Sequence, residues 1–330
     1  MSDLYFLLAA VAVLAILLLF RFVGCTSFGT ADDMSYTAKP TGEPDYPATI
    51  MGEPDLVSYW RLQEPSTTVA GDTAEDKKGV NNGKYKAGPI PTNSLHPESP
   101  AGPDGTPHLG VTPGLLELGQ QSTSLRVNGA FVEVPFSPSL ALSSFTIEAL
   151  VFPEWDKNDP QESTGSGFYR LVIGLTGDGP VAGAFGVFGF TIYAGPEDPP
   201  NDYTPTWQVS MGDGTTSVRV KSATSAMALV DFQHTTYLAV TYDGTKLNLF
   251  VVVRGIDFDD PKVHPLKDVT VAYSPNTNPA NSLFIGADRN PGGGLPLYPF
   301  HGRIQEVAVY RKALTIGRCP ASHVCAALVL

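Results

Sequence analysis

Basic clusters, cysteine and long amphipathic helical periods are what this chain has least of. It carries 21 Lys and Arg against 33 Asp and Glu, a formal net charge of −12, and charged residues make up only 16% of it. Duplex binding needs Lys and Arg grouped to neutralise phosphates, and no such run occurs, so nucleic acid is not an expected partner. Three cysteines, Cys25, Cys319 and Cys325, are too few and wrongly spaced for a four-ligand zinc site. No Gly-x-Ser-x-Gly elbow and no His-Glu-x-x-His motif is present. Nor does any strand carry the closely spaced acids that retaining glucanases place on one face, about 5 Å apart. The nearest acidic run, Asp257-Phe258-Asp259-Asp260, has the wrong order and residue types. These absences lead to the expectation that the chain is not an enzyme.

What is abundant is turn chemistry and apolar alternation. There are 33 Gly and 29 Pro, and 42% of residues are hydrophobic. That balance fits many strands and turns, and a chain of 330 residues can bury a full core. Residues 145–152 alternate Phe145, Ile147, Ala149 and Val151 against Thr146, Glu148, Leu150 and Phe152, one face wholly apolar and the other mixed. Residues 237–242 and 247–253 are β-rich, and Asp243-Gly244-Thr245-Lys246 between them signals a hairpin. Further strands are expected at 131–134, 171–175, 185–193, 207–211, 217–220, 283–286 and 303–310. The fold class is therefore all-β, a two-sheet antiparallel sandwich. Residues 154–167, 195–206 and 290–299 read as long loops, where a β scaffold commonly carries binding residues.

Four stretches divide the chain. Residues 4–20 form an uncharged apolar run followed by Arg21. Extended to Gly24 as a helix, the run reaches about 30 Å, the thickness of a bilayer core. A permanent anchor, a cleaved signal peptide and a lipoprotein modified at Cys25 all fit it. The missing Lys or Arg before the run favours the anchor, so residues 1–25 are expected to be one hydrophobic helix holding an extracytoplasmic domain at a membrane. Residues 26–54 read as a flexible polar linker, 55–316 as the β domain and 317–330 as a tail. In an oxidising compartment Cys319 and Cys325 can pair as a disulfide.

The order of motifs in the β domain resembles a known family. Leu56-Val57-Ser58-Tyr59-Trp60-Arg61-Leu62-Gln63-Glu64 is similar to an opening strand, and residues 73–88 to the Asn-Asn-Gly turn that follows it. Phe131-Val132-Glu133-Val134-Pro135 and Phe145-Thr146-Ile147-Glu148-Ala149 come next, then the 237–253 hairpin. Phe284-Ile285-Gly286 and Phe300-His301-Gly302-Arg303-Ile304-Gln305-Glu306-Val307 close the series. Together they resemble a laminin G-like jelly roll of the concanavalin A-like superfamily. The resemblance implies a surface-displayed binding module, in some members for sugars and in some with calcium. The chain departs from the family in having Gln305 where Asp is common.

Two site expectations follow. Asp76 with Asn81 and Asn82 is the best local group of oxygen donors for calcium, although Asn and Gly also serve turns without metal. Trp155, Tyr203 and Tyr298 sit in the presumed loops, where aromatic rings can stack on a sugar. The expected function is a non-catalytic surface binding module for carbohydrate or another cell-envelope component. The alternatives are an adhesive envelope protein making protein contacts only and, third, a glycoside hydrolase.

Overall fold

A computed structural model describes residues 46–65, 67–88, 108–111, 115, 124–154, 169–177, 188–198, 202–221, 230, 234–253, 263–264, 272–290 and 296–315. All of them belong to one compact unit. The expected anchor, the lipoprotein cysteine Cys25, the tail with Cys319 and Cys325, and Trp155 lie outside the described residues. Among the described residues no helix is long and apolar enough to cross a membrane.

Among the described residues sixteen strands, numbered in chain order, form two antiparallel sheets. The first runs β14 (Val263–His264), β13 (Leu247–Val253), β12 (Thr236–Tyr242), β7 (Phe145–Pro153), β16 (His301–Tyr310), β5 (Ser124–Asn128), β4 (His108–Val111), with β1 (Leu56–Trp60) also paired to β16. The second runs β11 (Ser217–Lys221), β10 (Asp202–Asp213), β9 (Phe188–Asp198), β8 (Arg170–Gly177), β15 (Leu283–Ile285), β6 (Phe131–Val134), β3 (Gly83–Lys86), β2 (Thr73–Ala74). The all-β, two-sheet expectation holds, and most expected strands stand within a few residues of where alternation put them.

The period-2 pattern explains the core. Phe145, Ile147, Ala149 and Val151 of β7 join Leu238 and Val240 of β12 and Ile304, Val307 and Val309 of β16 in one buried cluster. Trp207, Val209 and Met211 of β10 and Phe190 and Ile192 of β9 enter the same cluster from the second sheet. The hairpin forms as its sequence requires. Gly244 has φ +100°, and the Asp243 carboxylate accepts hydrogen bonds from the backbone N–H groups of Thr245 and Lys246.

Two expectations are corrected. Residues 26–54 are not linker throughout, because a short helix, α1 (Tyr46–Gly52), buries Tyr46 and Ile50. It packs on the outer face of the first sheet, in a second apolar cluster with Tyr59, Leu150, Tyr237 and Tyr310. Residues 195–206 are not one long loop. Gly195 pairs with Thr206 and Pro196 with Pro205, so β9 and β10 continue through the Pro-rich stretch. Proline removes a donor without forbidding extended backbone, and the Gln208 amide donates to the Gly195 and Pro196 carbonyls, each at 2.9 Å.

Candidate functional site

The strand register gathers three connections at one end of the sandwich. Pro153 at the end of β7 stands beside Gly302 at the start of β16. Arg170 at the start of β8 stands beside Ala194 near the end of β9. The Leu171 N–H donates to the Tyr298 carbonyl at 3.0 Å, tying the segment before β16 to β8. The ends of β7, β9 and β15 therefore lie at the same end of the sandwich. The segment at each was expected to carry binding residues.

Tyr298 is partly exposed and has φ +53°, an uncommon conformation for a bulky residue. A strand-like pair between Asp288 and Leu297 holds the backbone there, with N–H···O distances of 2.7 and 2.9 Å in the two directions. The Tyr298 ring meets Tyr169 edge-on, with centroids 5.4 Å apart, and Tyr169 meets Tyr193 at 5.8 Å. Gly195 makes room for two of these rings. A Cβ placed there would come within 3.0 Å of ring carbons of both Tyr169 and Tyr193. Asp288 accepts from the Thr176 hydroxyl at 3.1 Å and from the Arg289 N–H at 2.8 Å. Burial pushes its carboxyl up to about 6, against the pull of those two donors. Burial, and then the Asp288 charge, raise the Tyr298 phenol. Tyr203, the third expected aromatic, lies within β10 rather than in a loop.

The expected metal ligands come together as a turn. The Asp76 carboxylate is buried, and each oxygen accepts two backbone N–H groups: Tyr59 at 2.8 Å and Lys78 at 2.9 Å on Oδ1, Val80 at 3.2 Å and Asn81 at 2.9 Å on Oδ2. Those four bonds use the acceptor capacity of an ionised carboxylate. Asn82 Oδ1 accepts from the Asp76 N–H, and the Asn81 amide donates to Ser58 and Ser139. Trp60 Nε1 donates to the Asn81 carbonyl at 2.9 Å, fastening the turn to the core. Among the described residues no group of three His, Cys, Asp or Glu side chains is placed to hold a metal ion.

Sequence reasoning missed a buried polar cluster on the outer face of the first sheet. Glu148 is 1% exposed and accepts from the hydroxyls of Tyr237 and Tyr310. Glu306 is fully buried at φ +55°, where the β16–β7 register slips between Gln305 and Ala308. It accepts from Tyr59, from Gln63 at 2.9 Å, and from Arg61 with a 3.1 Å ion pair. Gln305 donates to Glu306 at 3.0 Å and accepts from the Leu115 N–H at 2.6 Å. Burial is the largest influence on both carboxyls, pushing Glu148 up to about 7 and raising Glu306 against the opposing Arg61 charge. The two carboxyls are buried, and Arg61 and Gln63 form the half-buried rim of the cluster.

No protein-family model matches the chain, and no curated protein matches it by sequence. The laminin G-like resemblance is thus not shown as a family. Solved structures do resemble it. Trypanosoma rangeli sialidase in complex with the inhibitor DANA is 13% identical, over 83% of this chain and 32% of that one, with a TM-score of 0.44. Domain 4 of AbnA, a GH43 extracellular arabinanase from Geobacillus stearothermophilus, in complex with arabinotriose, is 14% identical over 83% and 98%, with a TM-score of 0.39. The enzymatically active domain of bacteriophage CBA120 tailspike protein 2 is 10% identical over 61% and 27%, with a TM-score of 0.42. The chain spans about a third of the sialidase chains it matches. These similar structures are enzymes or parts of enzymes, against the expectation that the chain is not one, and at such identities and TM-scores the likeness speaks to the fold alone.

Proposed function

We propose that this chain recognises carbohydrate at the loop-bearing end of its sandwich, with Tyr298 and Tyr169 as the stacking surface. One observation carries the reading: a partly exposed tyrosine is held at φ +53° with its ring fixed edge-on against a second tyrosine. Strained backbone persists only where the surroundings enforce it, and it gathers at ligand sites. An aromatic ring fixed in advance gives a sugar face a large apolar contact at little entropic cost. The half-buried Asp288 carboxyl beside it would meet a hydroxyl of the sugar. Immobilised glycans probed with the protein and with Tyr298→Ala test this. Binding by the first and at least tenfold less by the second is expected; equal binding by both contradicts it.

A second reading, glycan hydrolysis, draws on Asp288. A carboxyl pushed to about 6 is placed to give and take protons near neutral pH. Incubating each bound glycan with the protein and measuring new reducing ends decides this reading, with Asp288→Asn as the control. The hydrophobic run at residues 4–24 would hold such a domain at a membrane, on the extracytoplasmic side. Mass measurement of the mature N-terminus reads whether that run is retained.

A further inference from the structure

The same end of the sandwich carries a pair of arginines that Tyr298 does not explain. Arg126 of β5 and Arg303 of β16 are direct cross-strand partners. Like charges directly opposite each other on a sheet repel. One carboxylate serves both: Glu154 Oε2 lies 2.5 Å from Arg126 Nε, and Glu154 Oε1 lies 3.2 Å from Arg303 Nε. Glu154 is held from its own backbone, where its N–H donates to the His301 carbonyl at 3.1 Å. The Arg303 guanidinium also lies over the Phe152 ring, 4.0 Å from the centroid. All three charged side chains are largely buried, with exposures of 17% for Arg126, 12% for Arg303 and 19% for Glu154.

We propose that Arg126 and Arg303 form a binding site for the carboxylate of an acidic sugar, and that Glu154 competes for it in the free protein. The sugar half of this inference rests on the reading of the loop-bearing end as a glycan site; the carboxylate half rests on the arginines. A guanidinium is a planar fork of donors suited to a carboxylate, and stacking on Phe152 fixes the plane of one fork. Electrostatics point the same way. Burial pushes the Arg303 charge down from the ordinary arginine range, and Arg126 adds to that effect, while Glu154 only partly offsets them. A bound carboxylate would set a second negative charge against that burial. The protein as a whole has a net charge of −12, so binding an acid here needs a local positive site, and this pair supplies one.

The test uses trigalacturonic acid and its methyl ester, the same trisaccharide with its carboxylates neutralised. Calorimetric titration of the full chain at low salt should show the acid binding at least tenfold more tightly than the ester. Arg303→Lys and Arg126→Lys each keep the charge but lose the fork, and each should weaken the acid at least fivefold while leaving the melting curve in place. Glu154→Gln removes the competing carboxylate and should tighten it severalfold. Equal binding of acid and ester would keep the glycan reading and overturn this one. Binding of neither would overturn this inference and leave the glycan reading to the immobilised glycans. An affinity for the acid unmoved by all three substitutions would place the acid elsewhere and overturn the assignment.

Discussion

Tyr237 donates its hydroxyl hydrogen to the carboxylate of Glu148, in the second apolar cluster beneath α1. Tyr310 donates to the other oxygen. With both partners neutral, no cation among the described residues compensates a charge on Glu148, and burial pushes its carboxyl up from an ordinary 4.5 to about 7. A carboxyl raised in the folded state holds its proton more tightly there than in the unfolded chain. Its contribution to stability is then complete below about pH 4.5, falls as pH rises through about 7, and is gone above that. The range amounts to roughly 3 kcal/mol. Glu148→Gln should therefore melt at a higher temperature than the natural protein at pH 8.5, and the advantage should vanish or reverse at pH 5. Melting curves across that range check it; a difference constant with pH contradicts it.

Tyr46 and Tyr310 make a paired prediction about hydroxyls in that cluster. The Tyr46 hydroxyl is buried with no hydrogen-bond partner among the described residues. Tyr46→Phe removes an unpaired polar atom and should be neutral or stabilising by up to about 1 kcal/mol. Tyr310→Phe leaves a Glu148 oxygen without its donor and should cost about 1–3 kcal/mol. Urea unfolding of the two variants gives both numbers.

Asp76 is predicted to matter through backbone bonds. Asp76→Ala abandons four N–H groups at once and should cost on the order of 3–4 kcal/mol. Asp76→Asn retains one carbonyl oxygen and should fall between that variant and the natural protein. Chemical denaturation in the presence of a chelator reads the loss of hydrogen bonds independently of any metal.

Gly302 should tolerate no side chain. Its φ is +138°, and a Cβ there would lie 2.1 Å from the Phe152 carbonyl oxygen. Gly302→Ala has to push β16 away from β7 at the point where Glu154 and Arg303 meet. A loss of at least 2 kcal/mol is expected, readable as a fall in melting temperature. The same substitution should loosen the Arg303–Glu154 pair.

Much of the fold was legible because strand signals are local. The β7 alternation, the Asp243–Lys246 hairpin and the 131–134 strand each depend on a handful of neighbouring residues. The same alternation misled for Glu148. It placed that residue on the mixed face of β7, which reads as a solvent face, but α1 covers it. Nothing in Tyr46-Pro47-Ala48-Thr49-Ile50-Met51-Gly52 announces a helix, since its reason for folding is the burial of Tyr46 and Ile50 against another element. Tyr298 could be singled out as an aromatic in a loop. Tyr169, Asp288, Arg126 and Glu154 could not, because separate segments bring them to one end and only the register joins those segments.

The glycan reading of that end turns on Tyr298. Its most direct test is calorimetric titration of the best array glycan into the natural protein, Tyr298→Ala and Tyr169→Ala, with melting curves to show that all three are folded. The account predicts saturable binding by the natural protein and a loss of at least tenfold in each variant. Undiminished affinity in folded Tyr298→Ala would contradict it.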